Sequence, residues 1–107
     1  MKSLSKQEEQ ILLSIYHLQE EAYLVNIREK LKEMTGRYLD VSTINKSLKR
    51  LQRDDFLDSY SGDPTPVRGG RAIKYYKLTN RASEELKEIK SVYEKMWENV
   101  IFPLKNS

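Results

Sequence analysis

Eight basic side chains between Val41 and Lys77 carry the most evident chemistry in this chain: Lys46, Lys49, Arg50, Arg53, Arg68, Arg71, Lys74 and Lys77. Four Asp share the segment, so it holds a net charge of +4 while the whole chain of 107 residues holds +3. The positive excess is therefore confined to this stretch. A local basic face implies a polyanionic partner, and a merely solvated charged surface is the plain alternative.

Catalysis lacks its parts here. The chain has one histidine, His17, no cysteine, no glycine-rich phosphate loop after a strand and no His/Glu spacing suited to a metal. Neither an enzyme nor a cofactor or metal is expected. Asp54-Asp55 reads as the end of a helix, His17 as a packed or surface residue, and Gly69-Gly70 as turn chemistry. The absence of cysteine excludes disulfides and thiolate sites and fits a reducing compartment. Ile11-Leu12-Leu13, the longest early apolar run, is far too short for a signal core or a membrane span, so a cytoplasmic protein without membrane contact is expected.

The elements that must position the basic groups follow from spacing. Ser5 and Glu8 form a capping-box pattern ahead of a helix reaching about Glu20, with Leu4, Ile11, Leu12, Ile15 and Leu18 on one stripe. Tyr23-Leu24-Val25 is a short β-prone piece. A second helix runs from Ile27 to Met34, packs through Ile27, Leu31 and Met34, and ends at Thr35-Gly36. Arg37 to Val41 form a turn, and Ser42 or Asp40 caps a third helix that buries Ile44, Leu48 and Leu51. At about 100° per residue, Ser42, Lys46, Lys49 and Arg53 then point away from the core, flanked by Thr43 and Arg50. Such a face suits phosphates and groove-edge acceptors.

Leu57 to Ser61 and Ala72 to Leu78 read as a hairpin, joined by ten residues rich in Gly and Pro beside Arg68 and Arg71. That loop could track a phosphate backbone or enter a minor groove. Thr79 caps a last helix, Asn80 to about Ile101, whose Ala82, Leu86, Ile89, Tyr93, Met96 and Val100 step as an a/d heptad seam widened by Val92, Trp97 and Ile101. One small domain cannot cover so long a stripe, so a homodimer is expected through Leu86, Ile89, Tyr93, Met96, Trp97 and Val100. Tyr93 and Trp97 read as interface core or as the lining of a ligand pocket between protomers. The fold class is mainly α with a small β hairpin (α+β): a winged helix-turn-helix over residues 1–79, continuous with a dimerisation helix and tail over residues 80–107.

The stretch Gly62 to Thr79, G-D-P-T-P-V-R-G-G-R-A-I-K-Y-Y-K-L-T, together with Leu48-Lys49-Arg50-Leu51 and Met96-Trp97-Glu98, resembles the PadR-like transcriptional regulators over roughly Ser5 to Val100. The resemblance implies a homodimeric repressor or ligand-responsive regulator, with the third helix in the major groove and the wing near the minor groove. By position it marks Ser42, Thr43, Asn45, Lys46 and Lys49 as groove-facing and Arg68, Gly69, Gly70 and Arg71 as the wing tip. Asn45 and Lys46 stand where the family commonly has Tyr and Pro, and an Asn at this site could pair with adenine. The family's His-Gly-Tyr near the second helix is replaced around Tyr23-Leu24-Val25, and Ala82 stands where relatives usually have Gly.

The expected function is a homodimeric, sequence-specific regulator of transcription that binds double-stranded DNA through Ser42, Thr43, Asn45, Lys46, Lys49, Arg50, Arg53, Arg68, Gly69, Gly70, Arg71 and Lys74. A repressor whose binding is loosened by a ligand or partner is the form expected, with any small-molecule inducer left unidentified. The alternatives are a winged-helix module that binds an acidic protein, and a small-molecule sensor without an operator.

Overall fold

Ser5 opens the first helix with both halves of a capping box: Glu8 N donates to Ser5 Oγ at 3.1 Å, and Ser5 N donates to Glu8 Oε1 at 2.8 Å. The helix it starts, α1 (Lys6–Leu18), buries Ile11, Leu12 and Ile15. In this computed structural model, which describes residues 3–62 and 72–105, a short 3-10 turn over Gln19–Glu21 leads into α2 (Leu24–Thr35). The extended piece expected over Tyr23-Leu24-Val25 shrinks to Tyr23, which bridges Tyr75 antiparallel, while Leu24 and Val25 form the first turn of α2. Packing overrides local propensity at this point, because helical Leu24 lies against the core while Val25 faces solvent.

Gly36 ends α2 at φ 78, a left-handed conformation that glycine adopts without steric cost, and its N–H donates to Lys32 O at 2.8 Å. The buried stripe of α2 is Ile27 and Leu31 only; Met34, expected on it, is exposed. Between the two expected caps of the third helix the structure selects Asp40, whose carboxylate accepts from Thr43 N at 2.8 Å. That helix, α3 (Val41–Arg53), buries Ile44, Leu48 and Leu51 completely. Asp54 caps its C-terminus, and Phe56 N returns to Leu51 O at 2.8 Å.

The strands β1 (Leu57–Ser61) and β2 (Lys74–Leu78) pair antiparallel from Leu57↔Leu78 to Ser61↔Lys74. The second strand thus begins two residues later than expected. Phe56, Leu57 and Tyr76 close the core beneath α1 and α3. Thr79 then caps α4 (Asn80–Trp97): its hydroxyl accepts from Ala82 N at 3.2 Å and donates to Asp55 O at 2.6 Å.

Ala82 is buried, Leu86 and Ile89 pack against the core, and every residue from 90 to 105 is exposed. The helix stops at Trp97, not near Ile101, with Asn99 in the left-handed region at φ 62. Beyond Ile89 the helix has no buried face to hold it, and asparagine is among the few residues that take a left-handed turn readily. Val100 therefore lies off the helix, and the expected seam divides. Its first half, Ala82, Leu86 and Ile89, serves the chain's own core.

Candidate nucleic-acid interface

Docking α3 by Ile44, Leu48 and Leu51 decides which of its side chains reach solvent. Ser42, Lys46, Lys49 and Arg53 are exposed, as the helical period requires, while Thr43 and Asn45 are half-buried on its flanks. Neither Lys46 nor Lys49 has an ion-pair partner among the described residues, so both charges are free for an outside anion. Arg53 lies 3.4 Å from Asp54 but keeps 71% of its side chain exposed. The Ser42 hydroxyl, 3.4 Å from Asp40 Oδ1, and the donors of Thr43 hold the Asp40 carboxyl below the usual aspartate range, with Thr43 the larger cause. The negative charge at the head of α3 is thereby committed to the cap.

Arg50 differs from the expectation. Its Nη1 pairs with Glu8 Oε2 on α1, its Nε lies 3.5 Å from Asp54 Oδ2, and only 18% of the side chain is exposed. The structure turns this arginine from the basic face into the joint between α1 and α3. The sequence showed Glu8 as a capping residue, but only the docked helices reveal what its second oxygen holds.

The hairpin stands against α3 through Gln52 Nε2, which donates to Ser59 Oγ at 2.8 Å. Its root is a tyrosine stack: Tyr75 lies between Tyr60, nearly parallel at 5.5 Å, and Tyr23, edge-on at 5.6 Å. Gly62 N donates to Ile73 O at 2.7 Å, and a Cβ at Gly62 would overlap the Tyr75 ring. Burial pushes the Tyr76 hydroxyl pKa up on the opposite face. Lys74 is exposed at the end of β2. Arg68, Gly69, Gly70 and Arg71 lie outside the described residues.

On the far side of α1, an open groove of about 460 Å³ runs beside the hairpin between Tyr16 and Tyr60. A second, of about 720 Å³, lies between α1 and α4, with Leu13, Tyr16, Leu86, Ile89 and Tyr93 among its walls. Lys6 Nζ sits 4.2 Å from the Tyr93 ring centroid at its edge. Trp97 is not among the walls of this groove and meets Phe102 at 6.1 Å. No cluster of metal-ligating groups occurs among the described residues, and no helix among them is long and apolar enough to cross a membrane.

A solved PadR-like transcription factor from Bacteroides fragilis is 32% identical to this chain, with a TM-score of 0.73 over 88% of this chain and 85% of that one. The chain belongs to the PadR-like transcriptional regulators. This PadR-like protein is therefore a DNA-binding regulator of transcription, from a family that is not enzymatic. It is also similar to a PadR family regulator from Clostridium difficile, 26% identical with a TM-score of 0.65 over 87% of this chain and 92% of that one. A PadR-like regulator from Bacillus cereus, 23% identical over 84% of this chain and 82% of that one, shares the fold at a TM-score of 0.69. No protein-family model matches the PadR-like chain, and no curated protein matches it.

Proposed function

We propose that this PadR-like protein is a homodimeric, cytoplasmic repressor that sets two copies of α3 against a pseudo-palindromic operator and lets go when a ligand or partner binds. The observation that carries the reading is the pairing of two unsatisfied surfaces. One is the basic face of α3; the other is the run of Val92, Tyr93, Met96, Trp97, Val100, Ile101, Phe102 and Leu104, all exposed in the single chain. So dense an apolar strip asks for cover, and a two-fold copy of the same strip covers itself while spacing two reading heads.

In this reading residues 1–79 bind DNA and residues 80–107 associate. Tyr93, Met96, Trp97 and Val100 form the centre of the dimer contact, with Leu86 and Ile89 at its edge because they already serve the core. Ser42, Thr43, Asn45, Lys46, Lys49 and Arg53 face the major groove, and Lys74 with Arg68, Gly69, Gly70 and Arg71 meets the adjacent backbone. Arg50 drops out of the DNA-contact set, being held by Glu8. A small-molecule inducer would reach Tyr93 through the groove between α1 and α4.

Fluorescence anisotropy against a duplex from upstream of the protein's own gene, and against a shuffled duplex, at two salt concentrations, tests the reading. Tight, steeply salt-dependent binding to the native duplex alone supports it. Equal weak binding to both duplexes overturns specific operator recognition at that site.

A further inference from the structure

We infer that Arg37, held against α1 by Gln7, is a DNA-backbone contact on the flank of α3 away from strands β1 and β2. The inference rests on α3 entering the major groove. An α-helix with its side chains is about 10–12 Å across and the groove about 12 Å wide, so both flanks of an inserted helix stand beside phosphates. One flank of α3, near Asn45 and Gln52, belongs to the hairpin, since Gln52 is bonded to Ser59 there. The other carries Thr43, Ser47 and Arg50, and its arginine is already paired with Glu8.

A cation is nevertheless present on that flank. Gln7 Nε2 reaches Ser47 Oγ at 3.5 Å, and Arg37 Nη2 donates to Gln7 Oε1 at 3.4 Å. The chain Ser47, Gln7, Arg37 thus brings a guanidinium from the turn after α2 alongside the middle of α3. Arg37 is exposed and has no acidic partner among the described residues. Its long bond to a neutral amide is one that a phosphate oxygen, with full charge and fork-matching geometry, would displace.

The other basic groups near the turn are differently occupied. Arg28 Nε donates to Leu39 O at 2.7 Å and its guanidinium stacks 3.9 Å from the Tyr38 ring centroid, where Lys32 also sits at 4.8 Å. Those contacts brace the turn. Arg37 alone of the three leaves its charge unpaired on the α3 side, on the flank away from the hairpin that Gln52 and Ser59 join to the helix.

The test compares Arg37→Ala, Arg37→Lys and Lys49→Ala on duplexes tiled over the DNA upstream of the gene, measuring affinity across a salt series. Each phosphate contact contributes about 0.9 to the logarithmic salt slope, or roughly eightfold in affinity at about 0.1 M salt. Arg37→Ala is expected to lose that much per half-site, equally on native and shuffled sequences, while Arg37→Lys keeps the slope. Arg37→Gln, which retains the stem, gives the same reading should the alanine variant melt early.

A slope unchanged in Arg37→Ala but reduced in Lys49→Ala overturns this inference alone. If neither slope moves, insertion of α3 fails and the backbone contact with it. Equal losses in Arg37→Ala and Arg37→Lys would assign the residue to the fold of the turn instead of to phosphate, and would also overturn the inference.

Discussion

Replacing Glu8 by Gln should unseat α3 from α1 without removing the cap. Glu8 uses Oε1 for Ser5 N and Oε2 for Arg50 Nη1, and its side chain is 8% exposed. Gln can still accept from Ser5, as capping boxes allow, but sets an amide donor against a guanidinium. Removing one partner of a buried ion pair costs about 3–5 kcal/mol. Here Asp54 remains 3.5 Å from Arg50 Nε and the arginine keeps some solvent, so about 2–3 kcal/mol is expected. For a domain of this size that lowers Tm by roughly 10 °C or more. Denaturant unfolding of Glu8→Gln, Arg50→Met and the double variant gives the coupling directly, expected near 2 kcal/mol. Arg50→Met should also leave the salt slope of DNA binding unchanged. A coupling below about 0.5 kcal/mol, or a slope reduced by about one, would refute the argument and return Arg50 to the DNA-contact face.

Gly62→Ala forces a methyl group into the Tyr75 ring that Tyr23 and Tyr60 hold on either side, and should destabilise by about 1–3 kcal/mol in urea unfolding, with most of that loss recovered in a Tyr75→Leu background. Trp97→Ala removes a side chain 59% exposed in the single chain, so light scattering should report weaker dimerisation while circular dichroism shows α1 to α3 intact; an unchanged dimer would remove Trp97 from the contact. The Asp40 carboxyl is held below the usual aspartate range in the folded state, so its cap is fully present above the ordinary pKa and is lost as pH falls through the depressed value. Asp40→Asn, a cap that does not titrate, should therefore flatten the acid limb of stability measured between about pH 5 and about pH 2.

Much of this fold is written in local chemistry. The capping box at Ser5, the left-handed stop at Gly36, the stripe of Ile44, Leu48 and Leu51 and the hairpin strands all follow from short-range rules that the sequence displays. The exposed positions of Lys46 and Lys49 follow equally, because a helix docked by three apolar residues has only one opposite side. Other features depend on the neighbours that each residue meets in the fold. Leu24 became helical because the core lay within its reach, and Met34 stayed in solvent because the core ended at Leu31. The heptad spacing of α4 looked like one seam, yet the domain's own body claims Leu86 and Ile89 and leaves Tyr93 and Met96 uncovered.

By itself the sequence determined the order of elements, the sign and place of the charge, and the family likeness of the wing, since each is set by residues close together in the chain. The tertiary structure alone decided which charges are free. Lys49 and Arg50 are adjacent and chemically alike, but docking α1 places Glu8 against one and leaves the other in water. It likewise set Arg37 beside α3 through Gln7, thirty residues earlier in the chain, because electrostatic partners are chosen by distance in space and not by separation along the backbone.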